Sequence, residues 1–133
     1  MKYMLDTNIC IYIIREKPAK VLQRLLRVDV RDVCLSAITL SELEYGISKS
    51  SRPDRNKLAL AGFLAPLTVL PYDDMAAREY GRIRAHLEKQ GAPIGPLDTL
   101  IAAHALSLAC TLVTNNETEF ARVPGLLVQN WAM

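Results

Sequence analysis

Residues 95–119 read GPLDTLIAAHALSLACTLVTNNETE, and this stretch decides the fold class. Pro96 is a typical first residue of a helix, and the apolar residues behind it predict a buried helix that ends near Ala109. Residues 111–114 follow almost at once and are typical of a short buried strand, which leads into a polar turn at 115–119. A buried helix that runs directly into a buried strand is typical of helix-covered parallel sheets.

The rest of the chain repeats this alternation on both sides of the stretch. Strands are predicted at residues 2–5, 33–35, 68–70 and, from a weaker pattern, 126–128. Helices are predicted between them, at residues 6–14, 18–28, 39–49, 53–64 and 73–90, the last ended by Gly91. Alternating strands and helices predict a three-layer α/β/α sandwich with a mostly parallel central sheet, formed by residues 1–133 as one domain.

Composition and cysteine placement point to a folded protein of a reducing compartment. Half of the 133 residues are hydrophobic, which excludes a disordered chain. Cys10, Cys34 and Cys110 lie in apolar runs and show neither disulfide nor metal-ligand spacing, so we expect buried free thiols. The net charge of +2 permits nucleic-acid binding without requiring it.

Neither secretion nor a membrane location is expected. The opening MKYMLDTN has no signal-peptide pattern, because its apolar part is interrupted at Asp6. The longest apolar region, residues 97–113, is shorter than a membrane span and carries Asp98 and His104. We therefore expect a cytoplasmic protein.

Polar side chains follow several of the predicted strands. Asp6, with Thr7 and Asn8, follows the first strand, and Glu42 lies in the first turn of the helix after the second. Asp98 lies in the first turn of the helix begun by Pro96, and the turn at 115–119 holds Asn115, Asn116, Glu117 and Glu119. Strand-to-helix turns of a parallel sheet lie on one edge, so we expect these side chains to meet.

Each of these groups has a structural explanation when it is taken alone. Asp6 could cap a helix, Thr39 and Glu42 could form a capping box, and Asp98 could be stabilised by the helix dipole. The turn at 115–119 could simply be solvated. Converging carboxylates, however, repel one another, and their pKa values rise unless a cation lies among them. Oxygen ligands without His or Cys select Mg²⁺ or Mn²⁺, which suits a phosphodiester substrate.

These residues carry a resemblance to a known family. The segments are MLDTNICIY at 4–12, SAITLSELEYG at 36–46, IGPLDTLIAAHAL at 94–106 and LVTNNETEFARVPGL at 112–126. In this order and spacing the chain resembles PIN-domain ribonucleases, and specifically the VapC-type toxins of bacterial toxin–antitoxin pairs.

The resemblance implies roles for individual residues. Asp6, Glu42 and Asp98 match the first three acids of the family, while Asn116 stands where many members have Asp. Glu119 is then the expected fourth acid. Asp6 and Asp98 would bind Mg²⁺, for which Mn²⁺ can substitute, and Glu42 and Glu119 would orient the attacking water or hold a second ion. Polar support is expected from Thr7, Asn8, Thr114 and Asn116.

The resemblance also implies an activity and partners. The expected activity is endoribonucleolytic cleavage that leaves a 5′-phosphate and a 3′-hydroxyl and thereby inhibits translation. The nearest branch resembles enzymes that cut a transfer RNA, the initiator in particular, in its anticodon loop. A small antitoxin protein is the expected partner, and a homodimer the expected assembly.

Basic residues outside the acidic positions are candidates for RNA contacts. Lys20, Arg24, Arg27 and Arg31 recur at helical spacing, which fits either phosphate contacts or an ordinary solvated face. A second row, Arg78, Arg82 and Lys89, is less regular. His104 lies within LIAAHALSL and is expected to be a hydrogen-bonded core residue.

Three other functions share parts of this sequence pattern. A haloacid-dehalogenase-type phosphatase requires a second Asp at the position of Asn8. A structure-specific DNA nuclease of the PIN type usually carries long insertions, for which this chain has no room. A catalytically inactive module that binds RNA or a peptide in the same acidic pocket stays open, and would depend neither on metal nor on Asp6.

Overall fold

The computed structural model describes residues 1–133 and shows a sheet of five parallel strands. The strands are β1 (Tyr3–Leu5), β2 (Val33–Ser36), β3 (Thr68–Leu70), β4 (Thr111–Val113) and β5 (Leu127–Gln129). Their order across the sheet is β3-β2-β1-β4-β5, and all four neighbouring pairs are parallel. The predicted sheet is therefore confirmed and is parallel throughout.

Seven α-helices and one 3-10 turn connect the strands. The helices are α1 (Thr7–Arg15), α2 (Ala19–Leu26), α3 (Ala37–Ser48), α4 (Pro53–Leu64), α5 (Asp74–Lys89), α6 (Pro96–Ser107) and α7 (Glu117–Phe120), and the 3-10 turn is Val30–Asp32. None of these helices has both the length and the apolar character that crossing a bilayer requires.

Side chains alternate between the two faces of the sheet and build two cores. Leu5, Leu35 and Val113 pack with α1 to α4 on one face, where Trp131 is also fully buried. Met4 and Leu112 point to the opposite face and pack with α5, α6 and α7. The strands are thus buried on both faces, and the predicted three-layer α/β/α sandwich is confirmed.

One element begins earlier than its sequence pattern predicts. Helix α3 starts at Ala37, and its N-cap is Ser36, whose Oγ accepts a hydrogen bond from the Ile38 amide at 3.1 Å. Thr39 is therefore inside the helix, and the capping box with Glu42 does not form. Two further boundaries shift slightly, since β5 lies one residue later and α6 ends two residues sooner than predicted.

The order of the strands places a crevice beside β1. Strands β2 and β3 extend the sheet on one side of β1, whereas β4 and β5 extend it on the other. The chain reverses direction across the sheet at this point, and ligands of open parallel sheets bind at such a reversal, outside the carboxyl ends of the strands. Asp6 directly follows β1 and Thr114 directly follows β4, so both lie at this edge.

Candidate active site

Asp6 is a buried carboxylate at the end of β1, with only 5% of its surface exposed. Its Oδ1 accepts a hydrogen bond from the Ile9 amide at 2.9 Å, so Asp6 is the N-cap of α1. Burial raises the pKa of Asp6 from 3.8 to about 6, and the charges of Asp98 and Glu42 also raise it. Hydrogen bonds from the Thr114 side chain and the Ile9 amide act in the opposite direction.

Glu42 reaches the same edge from α3. Because α3 begins at Ala37, Glu42 lies in the second turn of the helix and not in the first, as the sequence had suggested. The Thr7 hydroxyl of α1 donates a 2.7 Å hydrogen bond to Glu42 Oε1, across 35 residues of sequence. This bond holds Glu42 beside the start of α1, where Asp6 forms the cap.

Asp98 lies in the first turn of α6, as predicted, and is half-buried. Burial is the main cause that raises the pKa of its carboxyl, followed by the charges of Glu119 and Glu42. Asp98 is thus electrostatically coupled to two other acids of this edge, and the charge of Asp98 acts on Asp6 as well. The structure brings all four predicted acids into one electrostatic group.

The two glutamates after β4, Glu117 and Glu119, interact with different partners. Glu119 lies in α7 and acts on Asp98, as its effect on the Asp98 pKa shows. Glu117 is exposed, and its Oε1 accepts a 2.9 Å hydrogen bond from Asn130, beyond β5. Asn116 occupies the N-cap position of α7 without a side-chain cap bond. This geometry favours Glu119 over Glu117 as the fourth acid.

Three other polar residues complete the edge. Thr114 is fully buried, and its Oγ1 accepts a hydrogen bond from the Asn116 amide at 2.9 Å while its side chain contacts Asp6. Asn115 donates to the Tyr12 hydroxyl at 2.8 Å, and its buried Oδ1 has no hydrogen-bond partner. Asn8 is exposed and lines the cavity beside the acids.

No basic side chain neutralises these acids. The three ion pairs of the structure lie elsewhere, between Arg31 and Asp29, Arg82 and Glu79, and Arg84 and Glu88. No three His, Cys, Asp or Glu side chains are already arranged closely enough to hold a metal ion. The acids nevertheless fit a hard cation, because the donors are all oxygens, Asp6 is buried without a counter-charge, and burial together with the repulsion between the acids raises the pKa values of Asp6 and Asp98.

The basic residues predicted to contact RNA fall into two groups. The Arg24 guanidinium lies 5.8 Å from the centre of the buried Trp131 ring, and Arg31 pairs with Asp29 at 2.7 Å, so both have structural partners. Lys20 and Arg27 are exposed. A cavity of about 710 Å³ adjoins the acids, and Thr7, Glu42, Arg15 and Lys49 contribute to its lining.

Two predictions about individual residues are confirmed, and two contacts were not foreseen. Cys10, Cys34 and Cys110 are buried free thiols, and His104 is a buried, hydrogen-bonded core residue. The contact of Asn115 with Tyr12 and that of His104 with Ser36 join residues far apart in sequence, which no local pattern reveals. The one sequence signal for these contacts is the position of Ser36, a small polar residue between a strand and a helix, which indicates an N-cap.

Comparisons with known proteins agree with this geometry. The sequence model of the PIN domain matches residues 3–126. A tRNA(fMet)-specific endonuclease VapC of Shigella flexneri is 48% identical over 132 residues, which cover 99% of each chain. Ribonuclease VapC2 of Haemophilus influenzae is 47% identical, with 98% of each chain covered.

Solved structures show the same fold. The VapBC2 structure from Rickettsia felis, bound to a DNA fragment from its promoter, matches with a TM-score of 0.93 at 41% identity, covering 98% of this chain and 99% of that one. DNA-bound VapBC from Salmonella typhimurium matches with a TM-score of 0.93 at 46% identity, covering 98% of each. This chain therefore belongs to the PIN-domain family and, within it, to the VapC-type toxin ribonucleases.

Proposed function

We propose that residues 1–133 act as one nuclease domain that hydrolyses RNA phosphodiester bonds with the help of Mg²⁺, and that Asp6, Glu42, Asp98 and Glu119 form its active site. The observation that carries this proposal is the buried Asp6 carboxylate, whose pKa is raised to about 6 and which faces Asp98 and Glu42 without any basic partner. Buried carboxylates with raised pKa values are concentrated at functional sites.

The donor set favours magnesium. PIN-domain nucleases generally depend on a divalent metal. Asp6 and Asp98 would hold Mg²⁺, or Mn²⁺ in its place, because carboxylate oxygens suit hard cations. When bound, the metal would lower the pKa of a water molecule and stabilise the charge that develops on the phosphate.

The remaining acids would position and deprotonate the water. Thr7 donates to Glu42 Oε1 at 2.7 Å, which fixes the carboxylate and leaves Oε2 outside that bond. Oε2 of Glu42 is then the atom to accept the proton of the attacking water. Glu119, near Asp98, would orient the same water or hold a second ion. Lys20 and Arg27 are exposed and would contact the phosphates that flank the cut.

We infer transfer RNA as the substrate, and the initiator tRNA in particular, cut in its anticodon loop. Relatives 48% and 46% identical over nearly the whole chain are named tRNA(fMet)-specific endonucleases. The test is to sequence RNA 5′ ends after brief expression of the protein alone. New ends concentrated in one anticodon loop support the proposal, whereas ends scattered over messenger RNA contradict it.

We infer that an antitoxin protein restrains this activity in the cytoplasm and that the toxin is a homodimer. The structural neighbours from Rickettsia felis and Salmonella typhimurium are VapBC complexes. An acidic edge without a basic partner can also receive an arginine of the antitoxin, which would compensate its charge. Co-expression should yield a stable complex, and harmless high-level expression of the active chain alone would argue against toxicity.

A further inference from the structure

A buried hydrogen bond joins the two helices that carry Glu42 and Asp98. His104 Nδ1 of α6 lies 2.7 Å from Ser36 Oγ, the N-cap of α3. Ser36 is fully buried and His104 is 2% exposed, so water does not compete for this bond. The proposed chemistry uses neither residue directly, although their helices supply two of its four acids.

Glu42 and Asp98 lie at equal sequence distances from the two residues of this hydrogen bond. Glu42 lies six residues after Ser36, and Asp98 lies six residues before His104. Each acid is therefore six residues from the contact between Ser36 and His104, and the charge of Glu42 acts on Asp98. Six residues correspond to about 9 Å along each helix. Because both helices are rigid over that length, a fixed contact between Ser36 and His104 also fixes the position of Glu42 relative to Asp98.

His104 contacts residues at the ends of two strands. Ser36 Oγ accepts a hydrogen bond from the Ile38 amide at 3.1 Å and also shares the 2.7 Å hydrogen bond with His104 Nδ1. Burial lowers the pKa of His104, and a hydrogen bond to the backbone of Pro71, which follows β3, acts in the opposite direction. The Tyr72 ring packs edge-on against the imidazole at 5.5 Å between ring centres. His104 thus ties α6 to the ends of both β2 and β3.

We propose that His104 is a positioning residue: through Ser36 it sets the register of α3 against α6 and so places Glu42 relative to Asp98. The inference rests on the proposed metal-dependent nuclease site and adds a residue that touches neither metal nor RNA. A loosened register would move the two acids by a fraction of the 5.4 Å helical pitch. Displacements of that order are enough to lower metal affinity and turnover.

The test uses the full-length chain, purified from its complex, with Mn²⁺ alone and with an initiator tRNA transcript. Electron paramagnetic resonance measures Mn²⁺ binding without RNA, and cleavage gives kcat and KM. His104→Leu removes the ring nitrogen, Ser36→Ala removes the hydroxyl together with its cap bond from Ile38, and His104→Asn retains a polar group near Nδ1. Ile83→Val, in the same core but on α5, is the matched control for a small loss of packing.

The proposal predicts that His104→Leu and Ser36→Ala each weaken Mn²⁺ binding and lower kcat about 10-fold, as supporting residues of metal sites do, with little change in KM. His104→Asn should recover most of the loss, and the double variant should lose less than the sum of the two single variants, because both remove the bond between Ser36 and His104. Ile83→Val should behave as wild type.

Two results would overturn the inference alone: wild-type Mn²⁺ binding and kcat in Ser36→Ala and His104→Leu, or equal losses in Ile83→Val. If His104→Leu does not fold, Ser36→Gly decides, since it removes the hydroxyl, leaves almost no cavity, and places a residue that is accepted at an N-cap. A wild-type protein that neither binds Mn²⁺ nor cuts the transcript would overturn the proposed function and this inference with it.

Discussion

Asp6 serves the fold and the site with the same side chain. Sequence reasoning treated the helix cap and the metal ligand as competing explanations, but the structure shows the cap, with Oδ1 accepting from Ile9 at 2.9 Å. The cap does not satisfy the charge, because the pKa of Asp6 is still raised to about 6. A carboxylate that only capped a helix would be stabilised in its charged form.

The raised pKa of Asp6 predicts how stability depends on pH. The folded metal-free protein binds a proton between about pH 4 and pH 6 that the unfolded chain has already released, so its stability should fall as pH rises through this range. The loss should be on the order of 3 kcal/mol, measured by urea unfolding in EDTA.

Asp6→Asn should flatten this pH profile and be at least as stable as wild type at pH 7, because Asn also caps helices. Asp73→Asn is the matched control, since Asp73 caps α5 through the Ala76 amide outside the acidic group. A wild-type profile that rises between pH 4 and pH 6 would show that Asp6 is stabilised as an anion.

Glu119 and Glu117 differ in their partners and should differ in their effect on catalysis. Glu119→Gln should lower cleavage at least ~100-fold, as expected when a positioned acid–base or ligand group is lost. Glu117→Gln should have almost no effect, because Glu117 is bonded to Asn130 at the surface. Single-turnover cleavage measures both, and near-wild-type rates for both would show that three acids are sufficient.

At the scale of elements, local sequence predicts the helices and strands but not every boundary. Ser36 and Thr39 are both acceptable N-caps for α3, and the nearby Glu42 favours Thr39. The structure uses Ser36, which also contacts His104, 68 residues away. Likewise, which glutamate joins the acids depends on the short helix α7, where the sequence pattern indicates only a polar turn.

On the basic face of α2, Lys20 and Arg27 are exposed and available to RNA, whereas Arg24 lies against Trp131. The double variant Lys20→Ala, Arg27→Ala should bind RNA more weakly. The slope of log K against log[salt] should become shallower by about 1.4, because two phosphate contacts on single-stranded RNA are lost. Binding of uncleaved tRNA to the Asp6→Asn protein, measured over a range of salt, checks this. An unchanged slope would show that neither residue contacts RNA and that both are ordinary solvated side chains.

Arg24 provides the comparison within the same helix. Arg24→Ala should lower stability by about 1 kcal/mol, because the guanidinium stacks on the Trp131 ring. Thermal unfolding measures this difference, and Lys20→Ala and Arg27→Ala should leave the melting temperature unchanged.

At the scale of the whole molecule, alternating strands and helices predict a parallel sheet but not the order of its strands. The order β3-β2-β1-β4-β5 puts Asp6 of the first strand beside Thr114 of the fourth, and α6 then adds Asp98 from the same edge. The strand order depends on long-range packing, which local sequence patterns do not reveal. The alternation of strands and helices predicts that the acids at the strand-to-helix turns meet at one edge, and the resemblance to PIN domains adds that Glu119 is the fourth acid.

Metal dependence of cleavage tests the central claim most directly. Protein freed of metal with EDTA and then dialysed should not cut an initiator tRNA transcript, and added Mg²⁺ or Mn²⁺ should restore cutting, because the grouped acids need a cation to become active. Asp6→Asn, folded and as stable as wild type, should stay inactive in either metal. Cleavage by wild type in EDTA, retained in Asp6→Asn, would contradict the account.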